Sequence, residues 1–226
     1  MSQEKQIDEN KICFIVCSNN DLYLEECLYY ISKLKVPEHI KIETLSVTDA
    51  LSMTAGYNEG MQHSNAKYKV YLHQDTFIVN PNFIYDCLRI FKMDSSIGMI
   101  GNIGAKVLPD SGIMWEGERI GKLYEQHIYE TVLLYNWPDG NVPFVEVEAV
   151  DGFIMATQDD LPWRDDIFTA WDFYDISQSR EFINHGYKVV VPNMDKPWCL
   201  HDCGFVNLKN YGTERKKFLK EYKNKI

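Results

Sequence analysis

Short apolar runs alternate with amphipathic segments over the first hundred residues of the chain. The run at 11–17 (KICFIVC) is apolar and contains β-branched residues, which predicts a buried strand. Residues 22–34 carry apolar side chains at helical spacing, and Pro37 ends the predicted helix. The same two patterns predict further strands at 40–47, 69–72 and 97–103, and further helices at 52–64 and 83–92. This alternating order predicts a parallel sheet with helices on both faces.

The second half of the chain has a less regular pattern. Residues 104–142 hold several glycines and two prolines, and we interpret them as an insertion or a lid. After them the pattern predicts a strand at 145–156 broken by Asp151-Gly152, a helix at 171–185 closed by Gly186, and a strand at 187–191. We therefore expect one α/β domain over residues 11–205, between a polar tail at 1–10 and a basic C-terminal helix or tail at 206–226.

Charge is distributed unevenly along the chain. The net charge is −10, which argues against general nucleic-acid binding because that function needs a basic surface. Residues 206–226 hold seven basic and two acidic side chains, a net charge of +5 that leaves −15 on the remainder. This segment could contact anionic lipid, or it could be a solvated helix face. With no apolar run of about 18 residues and no apolar leader, we expect a cytoplasmic protein, or one peripheral at the inner face of the membrane.

The six cysteines are interpreted as free thiols. Four of them lie in predicted strands or helices, as expected for buried thiols in a protein of a reducing compartment. Only Cys199 and Cys203, with His201 between them, have a spacing typical of zinc ligands. A structural zinc site normally needs four ligands in paired clusters, and the sequence contains no obvious second cluster.

Polar residues follow three of the predicted strands. In a parallel sheet, ligands bind at the carboxyl ends of the strands, which directs attention to residues 18–21, 48–49 and 73–75. Asp75 ends an apolar strand and could hold Mg²⁺ or Mn²⁺, since both ions prefer oxygen ligands. The alternative is a turn or helix-capping aspartate.

Two further groups of polar residues could take part in chemistry. His201 follows the last strand and could complete a metal site, although a single histidine is more often structural. Asp172 and Asp175 open the predicted helix at 171–185, where they are expected to share one face. Either carboxylate could act as a general base, or both could simply stabilise the helix N-terminus.

The segment around Asn58 contains two glycines within a predicted helix. Gly56 and Gly60 indicate close backbone approach to a neighbour, which could be a nucleotide phosphate. The sequence has no G-x-G-x-x-G after the first strand, no G-x-x-x-x-G-K-[ST] and no G-x-S-x-G. Dinucleotide-binding, P-loop and ordinary serine hydrolase functions are therefore disfavoured.

Taken together, the segments over 11–204 resemble the family 2 glycosyltransferases with a GT-A fold. The resemblance is to a bacterial group with His-Gln-Asp in place of the D-x-D motif. It is carried by CFIVCSNN at 13–20, AGYNEG at 55–60, His-Gln-Asp at 73–75, and VDGF at 150–153 followed by FYDI at 173–176 and Gly186-Tyr187. Each motif alone is loose, whereas their order and spacing together are fairly specific.

The resemblance implies a fold, an activity and a set of site residues. The fold would be three-layered and Rossmann-like, with a central, mostly parallel sheet. The activity would be inverting transfer of one sugar from a nucleoside-diphosphate sugar, with a UDP-sugar foremost, to a glycan or lipid-linked acceptor, assisted by Mn²⁺ or Mg²⁺. Ser18, Asn19, Asp49 and Asn58 would bind the nucleotide, Asp151 and Gly152 would lie beside the donor sugar or acceptor, Asp75 and His201 would hold the metal or diphosphate, and Asp175 would be the base.

Three residues depart from the family pattern. His73 stands where the first acid of D-x-D belongs, Tyr174 replaces the usual Glu before the base, and Ser177 replaces the next Asp. The departure at His73 favours a competing hypothesis, a nucleotide- or sugar-binding module without catalysis. A sugar nucleotidyltransferase is a second alternative, disfavoured because the loop after the first strand is neither glycine-rich nor basic.

Overall fold

Strands and helices alternate along the chain in the computed structural model, which describes residues 5–138 and 140–222. In chain order they are β1 (Asp8–Cys17), α1 (Asp21–Ser32), β2 (Lys41–Val47), α2 (Met53–His63), β3 (Ala66–His73), β4 (Thr76–Ile78), α3 (Phe83–Met93), β5 (Ile97–Gly101), β6 (Ile103–Ala105), a short 3-10 turn (Met114–Glu116), β7 (Arg119–Gln126), β8 (Thr131–Asn136), β9 (Phe144–Glu146), β10 (Ala149–Val150), β11 (Ile154–Thr157), α4 (Tyr174–Asn184), β12 (Lys188–Pro192), β13 (Cys199–Asp202) and α5 (Tyr211–Tyr222). Residues 1–4 of the expected polar tail, and Lys223 and Lys225 of the basic segment, lie outside the described residues.

The central sheet has seven strands in the order β2-β1-β3-β11-β5-β12-β9. β1 is parallel to both β2 and β3, and β12 is parallel to β5. β11 runs antiparallel between β3 and β5, and β9 runs antiparallel at the edge. Five of the seven strands therefore point the same way, which confirms the predicted mostly parallel sheet.

Alternate side chains of β1 enter two different cores. Ile12, Phe14 and Val16 pack with α1 and α3, whereas Cys13 and Ile15 pack with α2 and α4. Successive side chains of a strand point to opposite faces, so this division places one pair of helices on each side of the sheet. The three-layer arrangement is the predicted one.

The two glycines of α2 serve the packing of this helix on the sheet. A Cβ atom at Gly56 would lie 2.5 Å from the Cys17 sulfur, and one at Gly60 would collide with the Ile15 side chain. The predicted close approach is therefore real, but its partner is β1 and not a nucleotide phosphate.

Residues 104–142 are more regular than their sequence pattern indicates. Together with β4, β10 and β13 they form a second sheet of order β10-β6-β7-β13-β4, with β8 paired to β7. β7 and β8 are an antiparallel hairpin, and β7 is also parallel to β13. This second sheet places the end of β13, with His201, beside the end of β7.

The helix α4 starts later than predicted, at Tyr174. Phe173 precedes it with a φ of 61°, a left-handed conformation that directs the chain into the helix. Asp172 consequently lies outside the helix, so the expectation that Asp172 and Asp175 share a helix face is wrong.

The basic C-terminal segment forms α5, which packs on the domain through buried Phe218 and Tyr222. Two of its basic side chains bind neighbouring segments: Arg215 donates to the Ser111 carbonyl, and Lys217 donates to the Thr169 hydroxyl. Lys216 and Lys220 remain exposed. No helix in the described part of the chain is long and apolar enough to cross a bilayer. Contact with anionic lipid stays a prediction.

Candidate active site

A cleft of about 450 Å³ opens at the carboxyl ends of β1, β2 and β3. It brings together residues from three separate turns, among them Ser18, Asn19, Asp49 and Asp75, and it is also lined by Trp171. Parallel strands end at the same edge of a sheet, which is why turns distant in sequence meet here. Four of the predicted site residues thus line one cleft.

Gln74 fixes the turn that follows β1. Its side-chain oxygen accepts from the Ser18 hydroxyl at 2.8 Å and from the backbone N–H groups of Asn19 and Asn20, each at 3.0 Å. Its amide nitrogen donates to the Asn19 side chain at 2.7 Å. Asn20 in turn caps α1 by accepting from the N–H groups of Leu22 and Tyr23. One side chain therefore sets the shape of the cleft wall.

Three candidate metal ligands, two of which line the cleft, meet beside the turn between β3 and β4. Asp75 Oδ1 lies 3.7 Å from His73 Nδ1 and 3.6 Å from His201 Nε2. The ligand atoms of these three residues all lie within 4.8 Å of one another, and we call them the metal triad. The backbone bond from the Asp202 N–H to the Asp75 carbonyl, 2.9 Å long, holds β13 beside the Asp75 turn. The structure thus brings predicted His201 and Asp75 together and adds His73.

The pKa values of the metal triad depend on burial and on the neighbouring members of the triad. Burial lowers the pKa of His73, which favours a neutral imidazole. Burial opposes ionisation of Asp75, but the neighbouring imidazoles of His201 and His73 more than offset it, and the pKa of Asp75 is lowered. The carboxylate likewise outweighs burial at His201 and raises its pKa. The triad therefore holds an ionised carboxylate beside two imidazoles.

The metal triad fits a divalent ion in two respects. Among the described residues, the buried Asp75 Oδ1 has no hydrogen-bond partner, and it faces both imidazoles. His73 contacts the Tyr174 hydroxyl through Nε2, which fixes the ring and leaves Nδ1 turned toward Asp75. Such a contact on the far nitrogen is the usual arrangement of a metal-binding histidine.

A second cavity, of about 630 Å³, adjoins the cleft. His73 and Trp171 line both spaces, so the two meet at the metal triad. The second cavity is also lined by three aspartates, by His201 and by a group of apolar and aromatic side chains: Asp151, Asp172, Asp175, Met114, Trp115, Phe173 and Tyr211.

Asp175 is the most constrained of the three aspartates in this cavity. Its Oδ2 accepts from the Gly152 N–H at 3.1 Å, and its Oδ1 accepts from the Ile176 N–H at 2.8 Å. Burial, reinforced by the negative charge of Asp151, raises the pKa of Asp175 to about 7. A carboxylate with a pKa near neutrality is well suited to accept a proton at physiological pH.

Gly152 and Tyr174 connect Asp175 to the metal triad. A Cβ atom at Gly152 would collide with the Tyr174 hydroxyl, so only glycine allows this approach. The same hydroxyl contacts His73. The base candidate and a triad ligand are therefore separated by a single tyrosine side chain, which the sequence shows only as a departure from the family pattern.

Asn58 lies away from the cleft. Its amide donates to the Trp163 carbonyl at 2.9 Å and accepts from the Trp163 N–H at 2.9 Å. Both polar atoms of this buried side chain are used to join α2 to the segment before α4. Its location corrects the expectation that it binds nucleotide.

Several residues of the site escape sequence reasoning. In the sequence, His73 stands in place of a metal-binding acid, Gln74 occupies the variable position of the D-x-D motif, and Trp171 is the first residue of a predicted helix. The position of His73 and Gln74 at the end of a strand marks them as part of the binding edge of the sheet, but it assigns a specific role to neither residue.

The sequence of the chain matches a family model described as a glycosyltransferase-like family over residues 13–222. The chain belongs to this family. No curated protein matches it in sequence.

Solved structures with the same fold are distant in sequence. The mannosyltransferase PcManGT from Pyrobaculum calidifontis, in complex with GDP-Man and Mn²⁺, is 11% identical, with a TM-score of 0.61 over 98% of this chain and 68% of that one. S. aureus TarS 1–349 in complex with UDP is 11% identical, with a TM-score of 0.57 over 95% and 66%. A mutant of Drosophila β-1,4-galactosyltransferase 7, in complex with manganese, UDP-Gal and xylobiose, is 12% identical, with a TM-score of 0.53 over 90% and 73%.

These similarities show the fold, which is the GT-A fold that the sequence motifs predict. The chain spans only 60% of the TarS 1–349 fragment in another of its structures. Proteins with this fold can therefore carry segments that have no counterpart in the described part of this chain.

Proposed function

We propose that this protein transfers a sugar from a nucleoside-diphosphate sugar to an acceptor hydroxyl, with inversion at the anomeric carbon. The observation that carries the proposal is that the candidate metal ligands lie close to the candidate base. His73 and His201 of the metal triad line the second cavity together with Asp175, whereas His73 and Asp75 line the adjoining cleft at the strand ends. The cleft would hold the nucleotide, and the second cavity would hold the acceptor.

The nucleotide is assigned to the cleft by position and chemistry. The exposed Asp49 after β2 offers a carboxylate to ribose hydroxyls, and Ser18 and Asn19 offer polar groups on a turn fixed by Gln74. The diphosphate would then reach the metal triad. Three structures with this fold contain UDP, GDP-Man or UDP-Gal, and two of them contain manganese.

The ligand set favours manganese over magnesium. The metal triad offers two imidazole nitrogens and one carboxylate oxygen, whereas Mg²⁺ prefers oxygen ligands throughout. A divalent ion bound there would neutralise the charge that develops on the leaving diphosphate. The replacement of the first acid of D-x-D by His73 is therefore compatible with a metal site.

Asp175 would act as the general base. The acceptor hydroxyl attacks the anomeric carbon while the bond from that carbon to the diphosphate oxygen breaks, and Asp175 takes the hydroxyl proton. A single displacement from the face opposite the leaving group inverts the configuration. The hydrogen bonds from Gly152 and Ile176 hold the carboxylate in place for this transfer.

The acceptor would be a sugar or another molecule with an apolar face. Trp115, Trp171 and Tyr211 line the second cavity, and flat aromatic rings bind the apolar faces of sugar rings by stacking. A glycan or a lipid-linked sugar has this chemistry.

Nucleotide binding is the direct test of the proposed function. We expect UDP or GDP, or one of their sugar conjugates, to raise the melting temperature of the protein, and Mn²⁺ to increase that rise. Mg²⁺ at the same concentration is the matched control and should give a smaller rise. If none of these nucleotides changes the melting temperature with either metal, the proposed donor class is wrong.

Turnover should depend on pH through Asp175. The carboxylate accepts a proton only when it is ionised, and its pKa is raised to about 7. We therefore expect kcat to rise with pH up to about 7 and to level off above it, falling about tenfold per pH unit on the acid side. Single-turnover rates measured over this range, with donor saturating at each pH, would check the profile. A rate that stays constant below neutrality would contradict the assignment of the base.

Gln74→Ala should weaken nucleotide binding with little change in fold stability. The substitution leaves the Ser18 hydroxyl and the N–H groups of Asn19 and Asn20 without their common acceptor, so the turn loses its fixed shape. We expect KM for the donor to rise about tenfold or more while kcat falls much less. Gln74→Glu retains the acceptor oxygen and should lie between wild type and Gln74→Ala. Equal KM values in wild type and both variants would show that the hydrogen bonds of Gln74 have no role in donor binding.

A further inference from the structure

A second group of metal-ligand side chains lies at the end of the β7–β8 hairpin. Glu125, His127 and Cys203 each offer one ligand atom, and these atoms lie within 4.8 Å of one another. Cys203 Sγ is 3.6 Å from His127 Nδ1, and His127 Nε2 is 3.2 Å from Glu125 Oε2. We call these three residues the hairpin cluster.

The hairpin cluster arises from the pairing of β7 with β13. These strands are parallel, with His201 opposite Glu125 and Asp202 opposite Gln126. The next position along each strand brings His127 and Cys203 together. Because strand side chains alternate, Glu125 and His127 share one face of the sheet, on which His201 also lies. Two adjacent strand ends therefore hold the cluster, and its geometry does not depend on one loop alone.

The spacing of the sulfur and the nitrogen is that of two ligands on one tetrahedral ion. Zinc binds cysteine sulfur at about 2.3 Å and histidine nitrogen at about 2.0 Å, so a tetrahedral angle places the two ligand atoms roughly 3.5 Å apart. The observed separation of Cys203 Sγ and His127 Nδ1 is 3.6 Å. Cys203 and His127 Nδ1 are thus spaced to share one ion, whereas the Glu125 carboxylate now lies at the other ring nitrogen, Nε2, and would turn toward the ion to bind it.

Cys203 differs from the other cysteines in its exposure. Five of the six thiols are buried, whereas Cys203 is only partly buried and lines the second cavity together with Glu125 and His127. Three protein ligands that face an open cavity leave a fourth position for water or another molecule. This is the usual composition of a zinc site that is open to a ligand, as distinct from a closed structural site with four protein ligands.

The ligand chemistry of the hairpin cluster also separates it from the metal triad. The triad has two nitrogens and one oxygen, whereas the hairpin cluster includes a sulfur. Thiolate ligands select zinc over manganese and magnesium. We propose that Glu125, His127 and Cys203 form a second metal site, for Zn²⁺, with one coordination position open to the second cavity. This site does not depend on the proposed function.

Cobalt titration of the metal-free protein tests the site without any activity measurement. Co²⁺ replaces Zn²⁺ and gives a sulfur-to-cobalt charge-transfer band only when a thiolate is a ligand. We expect this band to appear and saturate at one equivalent of thiolate-bound cobalt per chain, and to disappear when Zn²⁺ is added. No band in excess Co²⁺ would overturn the proposal.

Variants assign the band to the hairpin cluster. Cys203→Ser should remove it, whereas Cys17→Ser, which changes a buried thiol at the other cleft, should leave it intact. Asp75→Asn, a variant of the metal triad, should also retain it. Glu125→Gln should keep the band but raise the Kd for Co²⁺ at least tenfold. A band that survives Cys203→Ser, or one that disappears in Asp75→Asn, would refute the site, and circular dichroism of each variant would verify folding.

Discussion

Replacing Asp175 by asparagine should lower kcat by about 10²- to 10⁴-fold, the usual contribution of a positioned general base. Asparagine keeps the size of the side chain, and its one oxygen can still accept from either the Gly152 or the Ile176 N–H group, but it cannot take up the proton of the acceptor hydroxyl. Donor affinity should change little, because the nucleotide cleft is formed by the strand-end turns. The measurement is kcat and donor Kd for wild type and variant side by side.

Asp172→Asn is the matched control for this experiment. Asp172 lines the same cavity and its pKa is also raised, by burial and then by the charge of Glu214. It lies before α4, however, whereas Asp175 is held by two backbone donors and is linked to the metal triad through Tyr174. We expect Asp172→Asn to keep most of the turnover. A larger loss in Asp172→Asn than in Asp175→Asn would transfer the role of base to Asp172.

The first half of the fold could be predicted from the sequence because its signals are local. Strand β1 is apolar on both faces because its side chains enter two cores. A continuous apolar run of this kind is easily recognised in a sequence as a buried strand. The second sheet was missed because its strands are short or half exposed. In β8, for example, partly buried and exposed side chains alternate, and the loop after the strand contains proline and glycine. Pairing between β7 and β13 is also distant in sequence, and no local pattern reveals it.

Some residues of the candidate site could likewise be predicted from the sequence, and others could not. Asp75 and Asp175 could be selected as candidates because each lies at the start or end of a regular element, Asp75 at the cleft and Asp175 at the second cavity. Tyr174 and Gln74 could not, because their importance rests on contacts with His73 and with the turn after β1, both far away in the chain. Asn58 was misjudged for the same reason, since its partner, the Trp163 backbone, is 105 residues away.

Asp75→Asn should abolish the manganese-dependent part of nucleotide binding. The substitution removes the one negative charge of the metal triad and leaves two imidazoles, which hold a divalent ion poorly. We expect the Kd for the nucleotide in Mn²⁺ to rise about 10- to 100-fold, with the metal-free Kd nearly unchanged. Calorimetric titration of nucleotide with and without Mn²⁺ would separate the two values.

Asp202→Asn provides the comparison for Asp75→Asn. Asp202 is a nearby carboxylate on β13, but it accepts from the Tyr23 hydroxyl at 3.1 Å and is not part of the metal triad. Its loss removes the same charge from the same region, so a purely long-range electrostatic effect would appear in both variants. Equal losses of manganese dependence would therefore mean that Asp75 is not a ligand. A loss confined to Asp75→Asn would identify it as the residue that ties nucleotide binding to the metal, because only a direct ligand can couple the two so selectively.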